Sequence, residues 1–569
     1  MLILSIHAGP HDSSAALFDD YRVLAAVAEE RMNRVKGSGG FPEQSIAEVL
    51  RVGGVERRDV DVLVCTRAFF LRRYFTYWRA HERLREGVRR LTGQEKMREM
   101  NVVVSKLGRS AYDVFDRKAF LADLGLRPDV RLFFSNHHFS HALPSLFFTD
   151  WDAALLYTAD GSGDQVYYSH NLLRDGELTN LYGDDRWLGR ARPSGSLGLA
   201  YGYVTEALGF RMNRHEGKLT GLAAYGEPTL LEEMRRHFTV TPEGRIEMDF
   251  ADDLALRDHF QALAATESRE NAAASVQALL EWGIRGSLLT LLEQNPVRHV
   301  GLAGGVFANV RLNRVVAETL PVDEVFIVPP MGDDGLVIGG GLQFLLERDG
   351  LAAWLDRRYR VGSVYWGGGY EALPDTTGLL RHDGDPAALT AEWLTLGRIG
   401  ALYHGRMEYG PRALGARSIL ASPVDAGVNQ ALNTRLQRSE FMPFAPVVGE
   451  GDAASVFDIG GVNRYAAHFM TICCAVQPQW RDRIPAVVHI DGSARPQIIR
   501  RDDNPLYADI LTHFRRLTGL PVLVNTSFNV HEEPIVNRPE ECLRALRDGR
   551  VDFVTTSAGL WTRADVPMR

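Results

Sequence analysis

The sequence predicts an α/β protein with a duplicated N-terminal half and a further C-terminal domain. Two β-hairpins with acidic, small-residue tips support the duplication. A strand over 2–6 leads into the tip His-Asp-Ser-Ser at 11–14, and a strand over 153–158 leads into the tip Asp-Gly-Ser-Gly-Asp at 160–164. Because the same hairpin opens each half, we expect two related subdomains with a cleft between them. Two unrelated hairpins are the alternative.

A glycine turn after a later strand supports a nucleotide cleft. The strand over 300–303 runs into Gly304 and Gly305, and Asn309 and Asn313 follow one helical turn apart. Glycines at such a turn let the backbone approach a nucleotide closely, and the two amides suit a ribose or base. Together with the two hairpins, this turn is similar to the third part of an actin/hexokinase-like (ASKHA) nucleotide cleft. The candidate nucleotide-binding residues are Gly161, Gly304, Gly305, Asn309 and Asn313.

The spacing of His137 and His141 suggests a divalent metal. At i and i+4 on a helix, two imidazoles share one face about 6 Å apart, which suits two ligands of one ion. Such a site needs carboxylates as well. Asp160 in the second hairpin tip is a candidate, and Asp333 in Gly-Asp-Asp-Gly at 332–335 is a more distant one. The alternative is that these histidines cap a helix or form hydrogen bonds in the core.

Composition narrows the class of protein. The chain has 569 residues, which indicates two or three domains, and its 45% hydrophobic and 24% charged residues are typical of globular proteins. A net charge of -8 disfavours nucleic acid as the main partner. No apolar run approaches the ~18 residues of a membrane span, and the first strand lacks the basic region of a signal peptide. Four cysteines without C-x-x-C spacing exclude a disulfide framework. We therefore expect a cytoplasmic protein without a membrane partner.

Two changes in composition and periodicity along the chain suggest the domain organisation. Residues 67–99 carry ten positive and four negative side chains, interleaved with aromatic ones. We interpret this as a helical insertion, about 67–125, that walls an acceptor pocket or else packs its aromatic face on the domain. Around 351–385, periodicity is lost and Gly-Gly-Gly appears at 367–369. The predicted domains are 1–355 and 386–569, with a linker over 356–385.

The C-terminal domain contains clustered polar and basic residues. Three arginines lie among glycines at 405–418, a further arginine follows Asp-Gly-Ser at 491–493, and an Asn-Thr-Ser cluster follows a strand over 521–524. Guanidinium groups on tight turns are good anchors for phosphate oxygens. The alternative for the Asn-Thr-Ser cluster is a polar turn after a buried strand. The candidate residues for phosphate and nucleotide are Arg412, Arg417, Arg495, Asn525 and Ser527.

Eight ordered motifs give the chain a family resemblance. It resembles the O-carbamoyltransferases that include the nodulation-factor, cephamycin and tobramycin enzymes of secondary metabolism and antibiotic biosynthesis. Besides the His137/His141 pair, the motifs are HDSSAAL at 11–17, EER at 29–31, EGK at 216–218 with GLAAYG at 221–226, GGV at 304–306, GDDG at 332–335, GPRALG at 410–415 and NTSFN at 525–529.

The resemblance implies a two-step reaction. A C-terminal domain similar to the threonylcarbamoyl-adenylate synthase (YrdC-like) fold would convert carbamoyl phosphate and ATP into carbamoyl adenylate. An N-terminal domain similar to the tRNA threonylcarbamoyl-transfer protein, with an actin-like fold, would pass the carbamoyl group to a hydroxyl of a natural product or sugar. A homodimer is left open.

The resemblance also implies roles for individual residues. Iron is the metal usually suggested for such families, and Fe(II) is therefore the expected cofactor beside ATP. By position, the metal ligands are His137, His141, Asp160 and Asp333; the catalytic residues are His11, as the base, with Asp12 and Lys218; and Arg412, Arg495 and Asn525 hold carbamoyl phosphate or nucleotide.

One departure and three alternatives accompany the resemblance. Many relatives carry Lys and Arg where this chain has Leu436 and Met442, so Arg435 or Arg438 would have to replace the missing charges.

Two histidines with one carboxylate also suit a non-haem iron oxygenase, although a second carboxylate at Asp333 disfavours it. A non-catalytic actin-like nucleotide-binding protein is another alternative. A metallopeptidase is disfavoured because no H-E-x-x-H helix is present.

Overall fold

The computed structural model describes residues 1–66, 69–76, 88–89, 96–183, 195–370, 373–438 and 441–566. Its chain divides into two compact units. Unit 1 comprises Met1–Ser194, Gly301–Gly305 and Pro330–Arg360, and unit 2 comprises Gly195–Val300, Val306–Pro329 and Val361–Arg569. The predicted α/β class is confirmed, and a C-terminal sheet domain is present. The division into 1–355, 356–385 and 386–569 stays a prediction.

The strands of the structure include the four predicted over 2–6, 153–158, 300–303 and 521–524, and the second of these continues through Gly163 into the predicted tip. In chain order they are β1 (Leu2–His7), β2 (Ser14–Asp19), β3 (Arg22–Ala28), β4 (Val62–Thr66), β5 (Phe69–Leu71), β6 (Met97–Glu99), β7 (Arg131–Ser135), β8 (Ala154–Gly163), β9 (Val166–Arg174), β10 (Glu177–Tyr182), β11 (Phe238–Val240), β12 (Ile246–Met248), β13 (His299–Ala303), β14 (Glu324–Ile327), β15 (Leu379–His382), β16 (Gly400–Tyr403), β17 (Arg417–Ala421), β18 (Ala445–Gly449), β19 (Cys474–Ala475), β20 (Ser493–Ala494), β21 (Gln497–Ile499), β22 (Val522–Ser527), β23 (Phe553–Thr556) and β24 (Gly559–Arg563).

Helices separate and cover these strands. The α-helices of the described residues are Glu29–Asn33, Glu43–Gly53, Met100–Leu107, Ala111–Val114, Arg117–Asp123, His137–Phe147, Leu197–Ala207, Glu216–Leu222, Leu231–Arg235, Asp253–Ala264, Arg269–Gln294, Val310–Thr319, Leu336–Asp349, Leu351–Leu355, Pro386–Thr395, Gly427–Arg435, Ala453–Val456, Gly461–Ala467, Pro478–Arg481, Pro505–Thr518 and Pro539–Arg547. Short 3₁₀ turns include Gly305–Ala308 and Asp333–Gly335. None of the helices in the described part of the chain is long and apolar enough to cross a membrane.

Unit 1 contains the predicted duplication. Its first sheet has the order β3-β2-β1-β4-β7, in which β1 pairs antiparallel with β2 and parallel with β4. Its second sheet repeats the start of this order as β10-β9-β8-β13, with β8 and β9 antiparallel. Each sheet begins, in chain order, with a three-stranded meander. The next strand to join the same sheet, β4 or β13, lies beside the first strand of that meander. The two predicted hairpins are therefore equivalent elements of a repeated topology.

The described part of the predicted insertion contributes aromatic side chains to the core of unit 1. Phe70, Tyr74 and Phe75 are buried, and they pack with Phe115 and Phe120 in one cluster. The rings of Phe70 and Phe115 lie 5.0 Å apart in an edge-to-face arrangement, which is favourable for aromatic pairs. Packing of aromatic groups on the domain was one of the two interpretations of this segment. Residues 67–68, 77–87 and 90–95 of the predicted insertion lie outside the described residues.

Unit 2 is built around an eight-stranded sheet. The strand order is β15-β24-β23-β16-β17-β22-β18-β21, with both parallel and antiparallel neighbours. β22 pairs antiparallel with β17 and with β18. Asn525 of the predicted ligand rim is therefore held on both sides, by Leu420 of β17 and Ala445 of β18, whereas Ser527 is paired with Ser418 of β17.

Candidate functional site

The predicted metal ligands of unit 1 converge in space. His137 and His141 lie on the helix His137–Phe147, which starts after Asn136 because the Asn136 side chain accepts a hydrogen bond from the backbone N–H of Phe139. The two imidazole centroids are 4.8 Å apart. One ligand atom from each of His137, His141, Asp160 and Asp333 lies within 4.8 Å of all the others.

The distances within this cluster are those of ligands around one ion. Nε2 of His137 lies 3.3 Å from Oδ2 of Asp160 and 3.6 Å from Oδ1 of Asp333. Nε2 of His141 lies 3.2 and 3.5 Å from the same two atoms. Ligands bound at about 2.0–2.2 Å in a tetrahedron would be roughly 3.4 Å apart. Two imidazoles and two carboxylates are also a suitable donor set for several divalent metals.

The charges of the cluster support one another in the absence of a metal. Burial disfavours a charged His141, but its hydrogen bonds with Asp160 and Asp333 outweigh this effect and raise the pKa of His141 to about 9. Burial also disfavours a charged Asp333, yet the nearby His137 lowers the pKa of this carboxyl to about 2. The cluster is therefore a carboxylate pair that attracts a cation.

His138 belongs to the core and lies outside the cluster. It is buried, and its Nε2 lies 2.9 Å from the carbonyl oxygen of Val166 while its Nδ1 lies 2.8 Å from Oγ1 of Thr158. Because a carbonyl can only accept, Nε2 carries the proton and Nδ1 accepts from the threonine. Burial lowers the pKa of His138 to about 3, so this neutral form persists.

Three residues outside the predicted set position the cluster. Asp164 accepts hydrogen bonds from the backbone N–H of His137 and from the side chain of Asn101, and so fixes the first turn of the helix. His7, the last residue of β1, is buried with Nε2 3.8 Å from Oδ2 of Asp333 and Nδ1 2.7 Å from Oγ1 of Thr66. The sequence signal for His7 is its position at the end of the first strand, directly before the first hairpin tip.

Gly163 lets the second hairpin lie against His137. A Cβ atom at this position would overlap the imidazole ring. We expect Gly163→Ala to displace His137, to cost about 1–3 kcal/mol of stability because of overpacking, and to weaken divalent-metal binding. Isothermal titration with metal and thermal unfolding measure these effects. Gly460→Ala is the control, since its Cβ would meet no atom within 4 Å; equal metal affinity in both variants would contradict the assignment of His137.

His11 and Asp12 lie at the first hairpin tip of the same unit. Nδ1 of His11 is 3.0 Å from Oδ2 of Asp12, and Asp12 has a left-handed backbone with φ of 54°. Burial disfavours the charged form of His11, but the hydrogen bond with Asp12 and the charge of Asp333 prevail and raise its pKa to about 9. Without a metal, His11 is therefore an imidazolium at neutral pH. The charge of Asp333 makes His11 electrostatically part of the cluster.

The predicted nucleotide residues occupy different environments. Gly304 has φ of 97°, and a Cβ there would overlap the backbone of Ala159; a Cβ on Gly305 would lie 3.1 Å from the Asp160 carboxylate. Gly161 donates its N–H to the same carboxylate. This glycine turn therefore borders the metal cluster.

Asn309 and Asn313 are bonded to protein groups in unit 2. Asn309 caps the helix Val310–Thr319, since its side chain accepts from the N–H of Leu312. Asn313 is fully buried and donates to the carbonyl oxygens of Phe307 and Thr471. Their roles in binding a nucleotide stay predictions. Lys218, the third predicted catalytic residue, is a buried residue of the helix Glu216–Leu222 in unit 2.

The segment 410–415 of unit 2 is held by side chains from several elements. Glu408 accepts from the backbone N–H groups of Leu414 and Arg417, and Gln497 donates to the carbonyl oxygen of Leu414. Asn525 donates to Ala413 and to Gln497. Glu408 and Gln497 were absent from the predicted set of site residues; Gln497 contacts residues that are 83 and 28 positions away in the chain, whereas Glu408 contacts residues six and nine positions away.

The arginines of the predicted phosphate site differ in exposure. Arg412 is partly exposed and donates to the carbonyl oxygen of Ala308, and Arg495 is also partly exposed. Arg417 has no exposed surface; its guanidinium donates to the carbonyl oxygens of residues 404, 405 and 416 and stacks 3.9 Å from the Tyr403 ring. Arg412 and Arg495 are thus better placed than Arg417 to meet a ligand.

The two residues proposed to replace the missing charges already bind protein groups. Arg435 forms an ion pair with Asp552 at 2.9 Å. Arg438 donates to the backbone and side chains of Ser527 and Asn529 and to Thr526. Leu436, where many relatives carry a lysine, is buried. Arg438 therefore holds the Asn-Thr-Ser-Phe-Asn segment in place, and Ser527 accepts two of its hydrogen bonds, at the carbonyl and hydroxyl oxygens.

A second group of potential metal ligands in unit 2 is better described as a hydrogen-bonded clamp. His215, His531 and Glu532 lie within 4.8 Å of one another. Nδ1 of His215 accepts from the backbone N–H of Arg211, so in the neutral ring Nε2 carries the proton and donates to Glu532 at 2.8 Å. A protonated nitrogen has no lone pair for a metal. Arg211 reaches the other carboxylate oxygen of Glu532 and completes the clamp.

The fold and the two groups of site residues define a two-part α/β enzyme, and the comparisons identify its family. The family descriptions "Carbamoyltransferase N-terminus" and "Carbamoyltransferase C-terminus" match residues 2–342 and 391–563. The chain belongs to the carbamoyltransferase family. It is therefore a transferase enzyme that carries out carbamoyl transfer, which confirms the predicted class and favours it over the oxygenase and non-catalytic alternatives.

Individual relatives cover most of the chain. The nodulation protein NolNO of Sinorhizobium fredii is 31% identical over 565 residues, which are 96% of this chain and 77% of NolNO. An uncharacterized protein of Methanocaldococcus jannaschii is 31% identical over 495 residues, 82% of this chain and 78% of its own length. Among solved structures, HypF of T. kodakarensis aligns with a TM-score of 0.35 and 13% identity, covering 62% of this chain and 48% of HypF.

Proposed function

We propose that the enzyme is an ATP-dependent O-carbamoyltransferase that activates carbamoyl phosphate as carbamoyl adenylate and transfers the carbamoyl group to a hydroxyl of a natural product or sugar. The convergence of His137, His141, Asp160 and Asp333 carries this proposal, because it gives the transfer step a metal site. Membership of the carbamoyltransferase family supports carbamoyl as the group that is transferred. The proposal includes the use of ATP, the carbamoyl-adenylate intermediate and the class of acceptor.

The four clustered residues of unit 1 fit a divalent cation, with Fe(II) as the first candidate. Their donor atoms are two imidazole nitrogens and two carboxylate oxygens at mutual distances suited to one ion. When bound, such an ion would stabilise negative charge that develops on the carbonyl or leaving-group oxygen. The ligands are pre-positioned by Asp164 and by the cap at Asn136. Pre-positioned ligands lower the entropic cost of binding the ion.

His11 is proposed to take the proton of the acceptor hydroxyl. To act as a base it must be neutral, whereas the carboxylates of Asp12 and Asp333 favour its charged form in the metal-free cluster. A cation held by Asp333 would offset this negative charge and shift the pKa of His11 back toward its ordinary value. The hydrogen bond that Nδ1 of the neutral ring donates to Asp12 then orients the ring and leaves Nε2 to accept the proton. Metal loading and activation of the base are thereby linked.

The activation step is proposed to occur in unit 2. Carbamoyl phosphate and ATP are polyanions and require convergent cations, for which Arg412 and Arg495 are the candidates. The segment that carries Arg412 is fixed by Glu408, Gln497 and Asn525. A carbamoyl adenylate is an activated mixed anhydride, so its transfer within one chain would limit hydrolysis.

The test is incubation of the purified protein with carbamoyl phosphate, ATP, Fe(II) or another divalent metal, and a panel of hydroxylated acceptors. We expect release of phosphate and pyrophosphate and an acceptor heavier by one carbamoyl group, detected by mass spectrometry. Omission of ATP should abolish product. Carbamoylation that proceeds equally well without ATP would refute the adenylate route, and product formation after complete metal removal would refute the role of the cluster.

A further inference from the structure

A cavity in unit 2 contains a histidine whose ring orientation is fixed by a hydrogen-bonded chain. The cavity is open to solvent. His489, Asp491 and Ser493 line it together with Cys473 and Arg314. His489 itself is largely buried. No site residue predicted from the sequence is among the residues that line this cavity.

The direction of the hydrogen bonds determines the tautomer of His489. The Ser493 hydroxyl donates its one proton to Oδ1 of Asp491 at 2.6 Å, since a carboxylate can only accept. Nδ1 of His489 lies 3.0 Å from the same hydroxyl oxygen and must therefore donate to it. Nε2 is consequently left with the lone pair. Among the described residues none forms a hydrogen bond with Nε2, so a ligand or water in the cavity can do so.

The backbone around His489 is built to hold this arrangement. The N–H of His489 donates to the carbonyl oxygen of Ser493, and Gly492, with φ of 75°, closes the turn by donating to the carbonyl oxygen of His489. The following residues, Ser493 and Ala494, pair with the strand Cys474–Ala475. Burial, and beyond it the cations nearby, lower the pKa of His489 to about 4. The ring is therefore neutral at physiological pH, which a base requires.

Cations converge on the same cavity. Arg311 and Arg314 line it; Nε of Arg311 pairs with Glu281 at 2.9 Å, and Nε of Arg314 pairs with Glu318 at 2.7 Å. An arginine has five N–H donors, so further donors are available to an anion. Burial raises the pKa of the Cys473 thiol to about 12, and Arg495 and Arg412 oppose this shift. The positive charges of these two arginines therefore act on a residue of the cavity wall.

We propose that His489 is the general base of the activation step, acting on carbamoyl phosphate bound in this cavity, with Ser493 and Asp491 as positioning residues. Nε2 removes a proton from a water molecule, whose oxygen forms a bond to the carbonyl carbon. The bond from this carbon to the phosphate oxygen breaks, and inorganic phosphate leaves and receives the proton from His489. The carbamic acid that remains releases the second proton of the water to solvent, and the resulting carbamate attacks the α-phosphorus of ATP, forms carbamoyl adenylate and releases pyrophosphate. This inference rests on the proposed function.

The experiment measures phosphate release from carbamoyl phosphate and pyrophosphate release from ATP, without acceptor, by the full-length protein. His489→Gln should lower kcat for phosphate release by about 100-fold or more, with little change in KM. Ser493→Ala should lower it less, and Ser493→Thr, which keeps the hydroxyl, should restore it. Added imidazole should partly restore His489→Ala. His468→Gln is the matched control, because His468 is a partly buried histidine of the same unit that does not line the cavity.

The outcomes separate this inference from the proposed function. If the wild-type protein releases both products and His489→Gln releases them at the rate of the control, the role of His489 is overturned while the proposed function stands. If the wild-type protein releases neither product, both are overturned. If His489→Gln is slow but Ser493→Thr is as slow as Ser493→Ala, the hydrogen-bonded chain does not position the base, and that part is overturned. Equal thermal unfolding of the variants confirms that each comparison concerns folded protein.

Discussion

Replacement of His141 by alanine is expected to remove divalent-metal binding and to stop carbamoyl transfer to the acceptor, while phosphate and pyrophosphate release continue. His141 is buried, and its Nε2 lies 3.2 and 3.5 Å from the two carboxylates of the cluster. Changes behind metal ligands already cost 10–100-fold in affinity, so loss of a ligand should cost at least about 100-fold. Metal content by elemental analysis and product formation by mass spectrometry measure the two effects.

The control for this experiment is His237→Ala. This variant removes a histidine of unit 2 whose Nδ1 lies 2.9 Å from Oδ1 of Asp249. It should retain both metal and product. The more informative result is loss of carbamoyl transfer with retention of phosphate and pyrophosphate release. It is expected because the cluster lies in unit 1 and the proposed activation residues lie in unit 2. If His141→Ala loses pyrophosphate release along with transfer, the metal does not serve the transfer step alone. If it retains metal and transfers normally, the cluster is structural.

The sequence predicted part of the cluster from local pattern. A spacing of four residues places His137 and His141 on one helical face. Asp160, which lies in β8, and Asp333, which begins a 3₁₀ turn, were candidates because of their acidic glycine-rich segments. The family resemblance joined all four residues in one set, although Asp333 is nearly two hundred positions from His137 and His141.

Residues that support the site could not be found in this way. Asp164 is the last residue of the predicted glycine turn, and its contact with Asn101, which is 63 residues earlier, could not be read from the turn. His489 and Ser493 form a local pair, yet their significance comes from a cavity lined by five separate segments. Such contacts depend on tertiary packing, which neither periodicity nor spacing encodes.

Polar residues near turns were the least predictable. Asn309 and Asn313 follow a glycine turn, a position that suits either ligand binding or capping, and in the structure Asn309 caps a helix while Asn313 is buried. Arg417 and Arg412 lie in the same glycine-rich segment, but only Arg412 reaches the surface. Burial decides between these alternatives, and single-residue burial depends on the neighbours that the fold supplies. An N-cap preference for asparagine was the available signal for Asn309.

Substitution of Gly339 by alanine is expected to destabilise unit 1 strongly and to disrupt the metal cluster with it. Gly339 lies on the helix Leu336–Asp349, whose N-terminal end follows the turn that carries Asp333. A Cβ atom at this position would overlap the carbonyl oxygen of Ser140, which directly precedes His141. Because Pro144 has no N–H to donate to that carbonyl, the helix His137–Phe147 leaves it directed at the glycine.

The expected magnitude follows from the rigidity of both partners. Overpacking of a core usually costs about 1–3 kcal/mol, and here the overlap is with backbone, so a value at or above the upper end is expected. The gain from placing alanine in a helix, about 1 kcal/mol, is too small to compensate. The helices must separate, which moves His137 and His141 away from Asp333. Chemical unfolding and metal titration measure the two consequences in one variant.

Gly217→Ala isolates the steric effect in the stability measurement. Gly217 also lies in a helix, Glu216–Leu222, but a Cβ there would meet no atom within 4 Å, so this variant should be as stable as the wild type or slightly more stable. A Gly339→Ala protein with wild-type stability would show that the two helices are not in backbone contact. A protein that loses stability yet keeps its metal affinity would show that the ligands adjust independently of helix packing. The expected result is loss of both, because one close contact fixes the helix that carries both histidines against the segment that carries Asp333.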